Sequence, residues 1–405
     1  VKPREALNLI GSEWPRLGLA ERLRRCYNVE DLRRLAARRT PQPVFDYVDG
    51  GADGELTLGR NREAFEAWEL MPLGPTDVSN VDPRISLLGR EIALPLMCSP
   101  TGYTRMMHQD GELGVARAAS AAGIPYGLST VASTSVEDLV RSGNPDLWFQ
   151  LYIWRDRELV KDLVRRAQAA NYRVLEVAID VPVGGFRTRD VRNGLTIPPQ
   201  LTPKTLWQIT LKPSYWWNVL RNPPLTFANA PQYVQDSGEV TIEYMTSQLD
   251  PTIGWDDVAA IRELWSGPLL VKGWMSPDGA AAAIAAGADG VHLSNHGGRQ
   301  LDRVVPPLEQ LAAVRAKLGD EATIVLDSGI RHGTDLAIAI ALGADAGAVG
   351  RAYLYGLMAG GEAGVRRALA LLDVEFRRAM TLLGVSSVAE LRARGPELLR
   401  RRPRR

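Results

Sequence analysis

Cysteine is scarce in this chain. Cys26 and Cys98 are the only two among 405 residues, and neither has neighbours at metal-ligand spacing. A disulfide framework is excluded, and the composition fits a reducing compartment. Histidine is also rare, with four scattered over what read as strands and loops, so no metal is expected. No apolar run approaches the length of about twenty residues needed to span a bilayer. The first residues show no signal-like apolar core. A cytoplasmic chain is expected, at most peripheral to the inner face of the membrane. Charge of one sign is missing too: the formal net charge is +1, which leaves no basic field for nucleic acid. The local exception is the tail 392–405, where Arg392, Arg394, Arg400, Arg401, Arg402, Arg404 and Arg405 gather. It reads as a solvated, frayed end rather than a contact for an anionic surface or an acidic leader.

What is present is a full globular core. Apolar residues make up 45% of the chain, enough for one large α/β barrel with additions or for two domains. Residues 1–93 read as a helical segment capping the rest. A helical pattern runs over 28–37 with Asn28 as N-cap, breaks at Thr40–Pro43, and resumes over 44–65 with an interruption at Gly50–Gly51. From Leu94 the pattern changes. Apolar strands begin near 94, 125, 147, 173, 269, 290, 323 and 347, each followed by a helical stretch. They are continuously apolar rather than alternating, so both faces are buried, as in a parallel sheet covered by helices. Such repeats over 94–391 predict a closed (β/α)8 TIM barrel. An open doubly wound sheet is the weaker reading, because no G-x-G-x-x-G follows a first strand.

One connection is too long. About ninety residues separate Asp180 from the fifth strand, where a few suffice. Apart from a helix over 255–265, the stretch 184–250 reads as an insertion after strand four, on the face where barrels carry their sites. It holds Trp207, Tyr215, Trp216 and Trp217 among Lys204, Lys212 and Arg221. The favoured reading is an ordered lid; the alternative is a lipid-headgroup contact through 204–221.

Polar residues at the ends of apolar strands are costly unless they are used. Here they occur at every end: Ser99 to Gly102, Ser129 and Thr130, Gln150 and Tyr152, Asp180, Lys272, His296 with Arg299, Asp327 to Arg331, and Gly350 with Arg351. In 291–302, VHLSNHGGRQLD, the strand delivers an imidazole able to take a proton, then two glycines, then a guanidinium able to grip a carboxylate. The ends of strands seven and eight pair Gly-rich backbone with Arg331 and Arg351, a phosphate cradle in this fold. Lys272 would suit the N1–C2 edge of a flavin. A buried structural ion pair with Asp327 is its bland reading. His292, mid-strand, reads as a satisfied core or helix-facing histidine, and His108 and His332 as loop residues bonded to backbone. Met106 and Met107 either line the pocket or simply pack.

The segment SNHGGRQLD at 294–302 closely resembles the signature of the FMN-dependent α-hydroxy-acid oxidases and dehydrogenases. The resemblance extends through VFDYVDGGA (44–52), SPTG (99–102), FQLY (149–152), AIDVP (178–182), LVKG (270–273), LDSGIRHGTD (326–335) and VGRAYLYGL (349–357). Within that family the chain is most similar to the bacterial L-lactate dehydrogenase branch. The resemblance implies His296 as the base and Asp180 as its partner. It implies Arg299 and Arg187 on the substrate carboxylate, with Tyr47 and Tyr152 on the substrate, and Lys272 on the reduced flavin. FMN would be held by Pro100, Thr101, Gly102, Ser129, Gln150, Lys272, Ser294, Asp327, Gly329, Arg331, Gly350 and Arg351. The reaction implied is oxidation of an L-2-hydroxy acid, lactate-like, to the 2-keto acid. His296 takes the hydroxyl proton while hydride leaves for flavin N5; a carbanion route uses the same residues.

Quinone, oxygen or another carrier would take the electrons, and a homo-oligomer, a tetramer in relatives, is expected. Departures from the family are Ala178 where Thr is common, Val131 where some oxidases carry a large aromatic, Ser328 for Gly, His332 for Arg, and Gly102 where many oxidases have Ala. Gly102 favours dehydrogenase behaviour. The open Val131 position and long insertion suggest as alternatives an aryl or peptide-derived substrate in natural-product tailoring. A flavin-binding or membrane-associated protein without turnover is the non-enzymatic alternative.

Overall fold

The computed structural model describes residues 18–194, 212, 215–216, 225–230 and 242–403. Three short strands precede the barrel: β1 (Trp68–Leu70), then the antiparallel pair β2 (Ile85–Leu87) and β3 (Arg90–Ile92). The barrel strands are β4 (Leu96–Thr101), β5 (Tyr126–Ser129), β6 (Leu147–Tyr152), β7 (Val174–Ala178), β8 (Leu269–Gly273), β9 (Gly290–Leu293), β10 (Thr323–Leu326) and β11 (Ala346–Val349). They close in the order β10-β11-β4-β5-β6-β7-β8-β9. This is the expected (β/α)8 barrel, with strand limits within about two residues of those read from the pattern.

Burial on both faces explains the continuous apolar strands. Outward residues such as Phe149, Leu151, Leu175 and Val177 meet the helical ring. Inward residues form a separate cluster in which Met97, Trp148, Val174, Leu270 and Val325 plug the lower lumen. Because successive side chains alternate, the next inward positions are Gln150, Glu176, Lys272, His292 and Asp327, a polar layer above the plug. The covering helices are amphipathic. Arg157–Ala169 buries Leu159, Val160, Leu163, Val164 and Ala167, and Asp156 caps it by accepting from the amides of Glu158 and Leu159.

The N-terminal segment folds as its breakers dictate. Asn28 caps helix Val29–Arg39 by accepting from Asp31 N at 2.8 Å. Helix Gln42–Asp49 follows, and Gly50–Gly51 separates it from helix Leu56–Glu66. At Gly51 a Cβ would lie 2.9 Å from the Gly298 carbonyl, so only glycine lets this chain cross the loop that carries His296. Ala52 N then bonds Gly298 O at 2.8 Å. The helix Arg351–Leu383, kinked at Gly360–Gly361, packs on helix Val29–Arg39 and closes the far side.

Through Arg401 the C-terminal tail is tied down rather than frayed. Leu399–Arg401 form β12, antiparallel to β1, with Trp68 opposite Arg401 and Leu70 opposite Leu399. Arg400 pairs with Glu69 at 2.7 Å, and Arg392 with Asp345. The arginines stay solvent-exposed, Arg400 at 65% and Arg402 at 62%, but a strand edge and facing carboxylates from sequence-distant residues tie the segment down.

The described parts of the insertion are stitched to the barrel. Lys212 donates to Arg38 O at 2.5 Å, and Tyr215 Oη to Met106 O at 2.5 Å. Phe227 packs edge-on against Tyr103, and Asn229 bonds Val136 N and Thr130 O. Lys204, Trp207, Trp217 and Arg221 lie outside the described residues. Among the described residues no helix is long and apolar enough to cross a membrane.

Candidate active site

The eight strand ends converge on one cleft of about 970 Å³, its open mouth included. Of the residues singled out from the sequence, Tyr47, Pro100, Thr101, Gly102, Ser129, Tyr152, Arg187, Lys272, His296, Arg299, Asp327, Gly329, Arg331, Gly350 and Arg351 line it. Asp180, Gln150 and Ser294 stand just behind. Asp180 bonds His296, Gln150 bonds Ser129 at 3.1 Å, and Ser294 bonds Lys272 at 2.9 Å. Met107 lines the cleft, whereas Met106 is buried and offers its carbonyl to Tyr215.

His296 is held from several sides. Its backbone adopts φ +57°, and its amide donates to Ser294 Oγ at 3.0 Å. The amides of Asn295 and Gly297 both donate to Ser328 Oγ at 3.2 Å. Below them, Asn295 and Asn61 exchange side-chain hydrogen bonds of 2.6 and 2.9 Å. His296 Nδ1 meets Asp180 Oδ2 at 3.0 Å, which leaves Nε2 available to a ligand in the cleft. Burial alone would raise the Asp180 carboxyl, but the charges of His296 and Lys272 outweigh it and hold the group below its ordinary value. Its Oδ1 has no hydrogen-bond partner among the described residues.

Arg299 donates to Tyr47 O and, at 3.2 Å, to Gly50 O. Its guanidinium lies 4.8 Å from the centre of the Tyr47 ring, with that of Arg187 at 5.7 Å. Burial, then the neighbouring Arg187, lowers Arg299 to about 9, so it remains charged at neutral pH. Arg351 donates to the carbonyls of Val48, Gly50 and Gly297 and is lowered by burial to about 10. Arg331 sits over the Tyr355 ring. None of these four arginines has a carboxylate at ion-pair distance among the described residues. Burial also raises the Tyr152 hydroxyl, which stays protonated.

Beneath the cleft, Lys272 Nζ lies 3.3 Å from Asp327 Oδ2. The lysine therefore both lines the cleft and forms the ion pair read as its bland alternative. Asp327 Oδ1 accepts from Ser328 Oγ at 2.6 Å. Its Oδ2 is 3.2 Å from His292 Nε2, and His292 Nδ1 is 2.5 Å from Glu176 Oε1. His292 is thus neither helix-facing nor bonded to backbone; it points into the lumen between two carboxylates. His332 pairs with Glu375 at 3.3 Å, and His108 Nδ1 accepts from Asp110 N at 3.2 Å.

Four residues escaped the sequence reading of the site: Glu176, Asn61, Asn295 and the bridging role of Ser328. Only Glu176 carried a signal, as the one acid inside the apolar strand VLEVA. Ser328 stands at φ +70°, a conformation that costs an ordinary side chain about 1 kcal/mol; its three hydrogen bonds offset that strain.

The chain is similar to known proteins over most of its length. The family model described as FMN-dependent dehydrogenase matches residues 36–400. A protein of Mycobacterium tuberculosis named putative L-lactate dehydrogenase is 47% identical over 94% of this chain and 91% of its own length. The (S)-mandelate dehydrogenase of Pseudomonas putida is 40% identical over 90% of this chain and 92% of its own. A solved structure described as the monotopic membrane protein (S)-mandelate dehydrogenase superposes with a TM-score of 0.89 at 40% identity, covering 93% of this chain and 100% of that one. With the barrel closed, the strand-end polar residues gathered and this match over most of the sequence, the chain belongs to the FMN-dependent 2-hydroxy-acid dehydrogenase family.

Proposed function

We propose that the chain oxidises an L-2-hydroxy acid of lactate type to its 2-keto acid, with His296 as the base. The observation that carries this reading is a charge imbalance. Lys272, Arg187, Arg299, Arg331 and Arg351 line the cleft, and Asp327 is the one acidic lining residue among those described. A phosphate-bearing cofactor and a carboxylate substrate are two anions that complement such a cleft. FMN also suits the polar groups left over. Gln150 Nε2 is buried beside Ser129 without a partner among the described residues, a donor for a ring with polar edges.

In this reading Arg331 and Arg351, with the backbone of Gly329 and Gly350, hold the phosphate, while Ser129, Gln150, Lys272 and backbone near Pro100–Gly102 hold the ring. When bound, FMN supplies the acceptor, at N5, for the electron pair and hydrogen leaving the substrate's Cα. Arg299 and Arg187 grip the substrate carboxylate, and the Tyr47 and Tyr152 hydroxyls orient its other end. His296 Nε2 receives the hydroxyl proton. Asp180, on Nδ1, keeps the imidazole in the tautomer that can do so and stabilises its charged form. Half-buried tyrosine and arginine walls limit the water around these charges and strengthen them.

A bulkier substrate is the second reading, favoured by one contact. Gly102 and Val131 line the cleft side by side, and a Cβ on Gly102 would meet Val131 Cγ2 at 2.6 Å, so no large side chain fills this wall. The similarity to mandelate dehydrogenase supports an aryl group there. Anaerobic spectra of the FMN-loaded protein with L-lactate and with (S)-mandelate, side by side, test both. Bleaching by lactate within seconds supports the first reading; bleaching by mandelate alone supports the second; neither, with glycolate also inert, defeats both. Readmitting air then separates oxygen from quinone or another carrier as acceptor. The monotopic relative supports a peripheral membrane contact through 204–221. Liposome co-sedimentation should fall several-fold in the Trp207→Ser, Trp217→Ser double variant; equal sedimentation of both proteins counts against it.

A further inference from the structure

The polar layer under the cleft contains two charged residues for which the reaction has no use. Glu176 on β7 and His292 on β9 are fully buried, with relative side-chain exposures of 0% and 0%. Neither reaches the cleft. Taking an imidazole and a carboxylate out of water is expensive, and a lumen filled with apolar side chains would avoid that cost. The layer directly below shows that this barrel can do so, with Trp148, Val174, Leu270 and Val325.

The pair does not stand alone. From Glu176 Oε1 the chain of charges runs 2.5 Å to His292 Nδ1, then from His292 Nε2 3.2 Å to Asp327 Oδ2, then from that same oxygen 3.3 Å to Lys272 Nζ. Lys272 and Asp327 line the cleft. One carboxylate oxygen therefore lies almost equally far from the lysine ammonium, facing the cofactor site, and from an imidazole nitrogen, facing the lumen.

We propose that Glu176 and His292 are positioning residues for the flavin's redox chemistry: by occupying Asp327 from below, they leave more of the Lys272 charge for the flavin and so raise its reduction potential. The assignment follows from charge order. Glu176 is the far negative end and His292 the near positive end of a dipole aimed at the Lys272–Asp327 pair. Without that dipole, Asp327 falls wholly to Lys272, and the negative charge gained on reduction is less well compensated.

The titration behaviour agrees. Among the described residues the charged groups facing His292 are Glu176 from β7, Lys272 from β8 and Asp327 beyond β10. Burial and Lys272 disfavour its charged form, but Glu176 and Asp327 outweigh them and raise the imidazole above its ordinary value. A raised value means that the imidazole keeps its charge to higher pH than a free histidine would and loses it only above that value.

The test is the midpoint potential of the FMN-loaded protein, measured against a reference dye without substrate and therefore independent of which hydroxy acid is oxidised. The double variant Glu176→Leu, His292→Leu removes both charges and keeps the lumen filled. At a fixed potential it should hold about tenfold less reduced flavin than the unmodified protein, about 30 mV for a two-electron couple. The single variant Glu176→Gln keeps the imidazole but removes the group that retains its proton. Its potential should lie at or above that of the unmodified protein at low pH, where the imidazolium is unopposed, and drop to that of the double variant as pH rises through the imidazole's lowered pKa, a step absent from the unmodified protein. Glu176→Gln decides the matter if the double variant does not fold. A purely structural pair would alter thermal stability and leave the potential and its pH profile unchanged; that result, in folded protein with full FMN content, overturns the proposal.

Discussion

Two histidine–carboxylate pairs sit one above the other in this barrel. His296–Asp180 lies at the rim and His292–Glu176 in the lumen, and the partners in each are 116 residues apart. Each rim residue lies four positions beyond its lumen counterpart, past the ends of β7 and β9. What differs is access. The His296 side chain is 25% exposed and lines the cleft, while that of His292 has 0% exposure and touches no part of it. On the proposed reading, equal chemistry gives a group that exchanges a proton with substrate in one case and a buried positioning charge in the other. Burial, not residue type, assigns the role.

The comparison breaks most visibly at His296. His296→Asn should lower turnover about 10³-fold, the usual range for a positioned base, while FMN content and midpoint potential stay as they were. A change in potential instead would blur the rim and lumen roles. Arg299→Met should cost about 10²-fold in kcat/KM if the half-buried cation grips the substrate carboxylate as proposed; steady-state kinetics with a hydroxy acid and its uncharged amide separates this from misfolding, since the amide should lose far less.

A third prediction concerns what supports the rim. Asp49 receives bonds from Arg33, Arg189 and Tyr355, tying the N-terminal helices to the segment that carries Arg187. Burial opposes its charge, but Arg33, Tyr355 and Arg189 hold the carboxyl down at about 2, from an ordinary 3.8. A depressed value gives stability that is complete above about pH 4 and lost as pH falls through about 2. Asp49→Asn should therefore destabilise by about 2 kcal/mol at pH 7, and the gap between the two unfolding curves should close in acid. The smallest effect is expected at Gly102→Ala. The added methyl meets Val131 and should cost about 1 kcal/mol, recovered in the Gly102→Ala, Val131→Ala double variant by thermal unfolding.

Much of the barrel and its rim was legible because each signal is local. A strand buried on both faces is apolar throughout, and a polar residue at its end stands out within a few positions, as His296, Lys272 and Asp327 do. The supporting contacts were not legible, because they join residues that no pattern relates. Asn61 meets Asn295 across 234 positions, and Glu176 meets His292 across 116. His292 read as an ordinary core histidine for the same reason. β12 was missed because its partner, β1, lies at the other end of the chain, and its arginines find Glu69 only once that pairing exists.

The most direct measurement is the anaerobic absorbance of the FMN-loaded protein after addition of an L-2-hydroxy acid, in unmodified and His296→Asn forms. The oxidised flavin bands should bleach within seconds in the unmodified protein and about 10³-fold more slowly in the variant. Equal bleaching of the two proteins would contradict the assignment of His296 as the base.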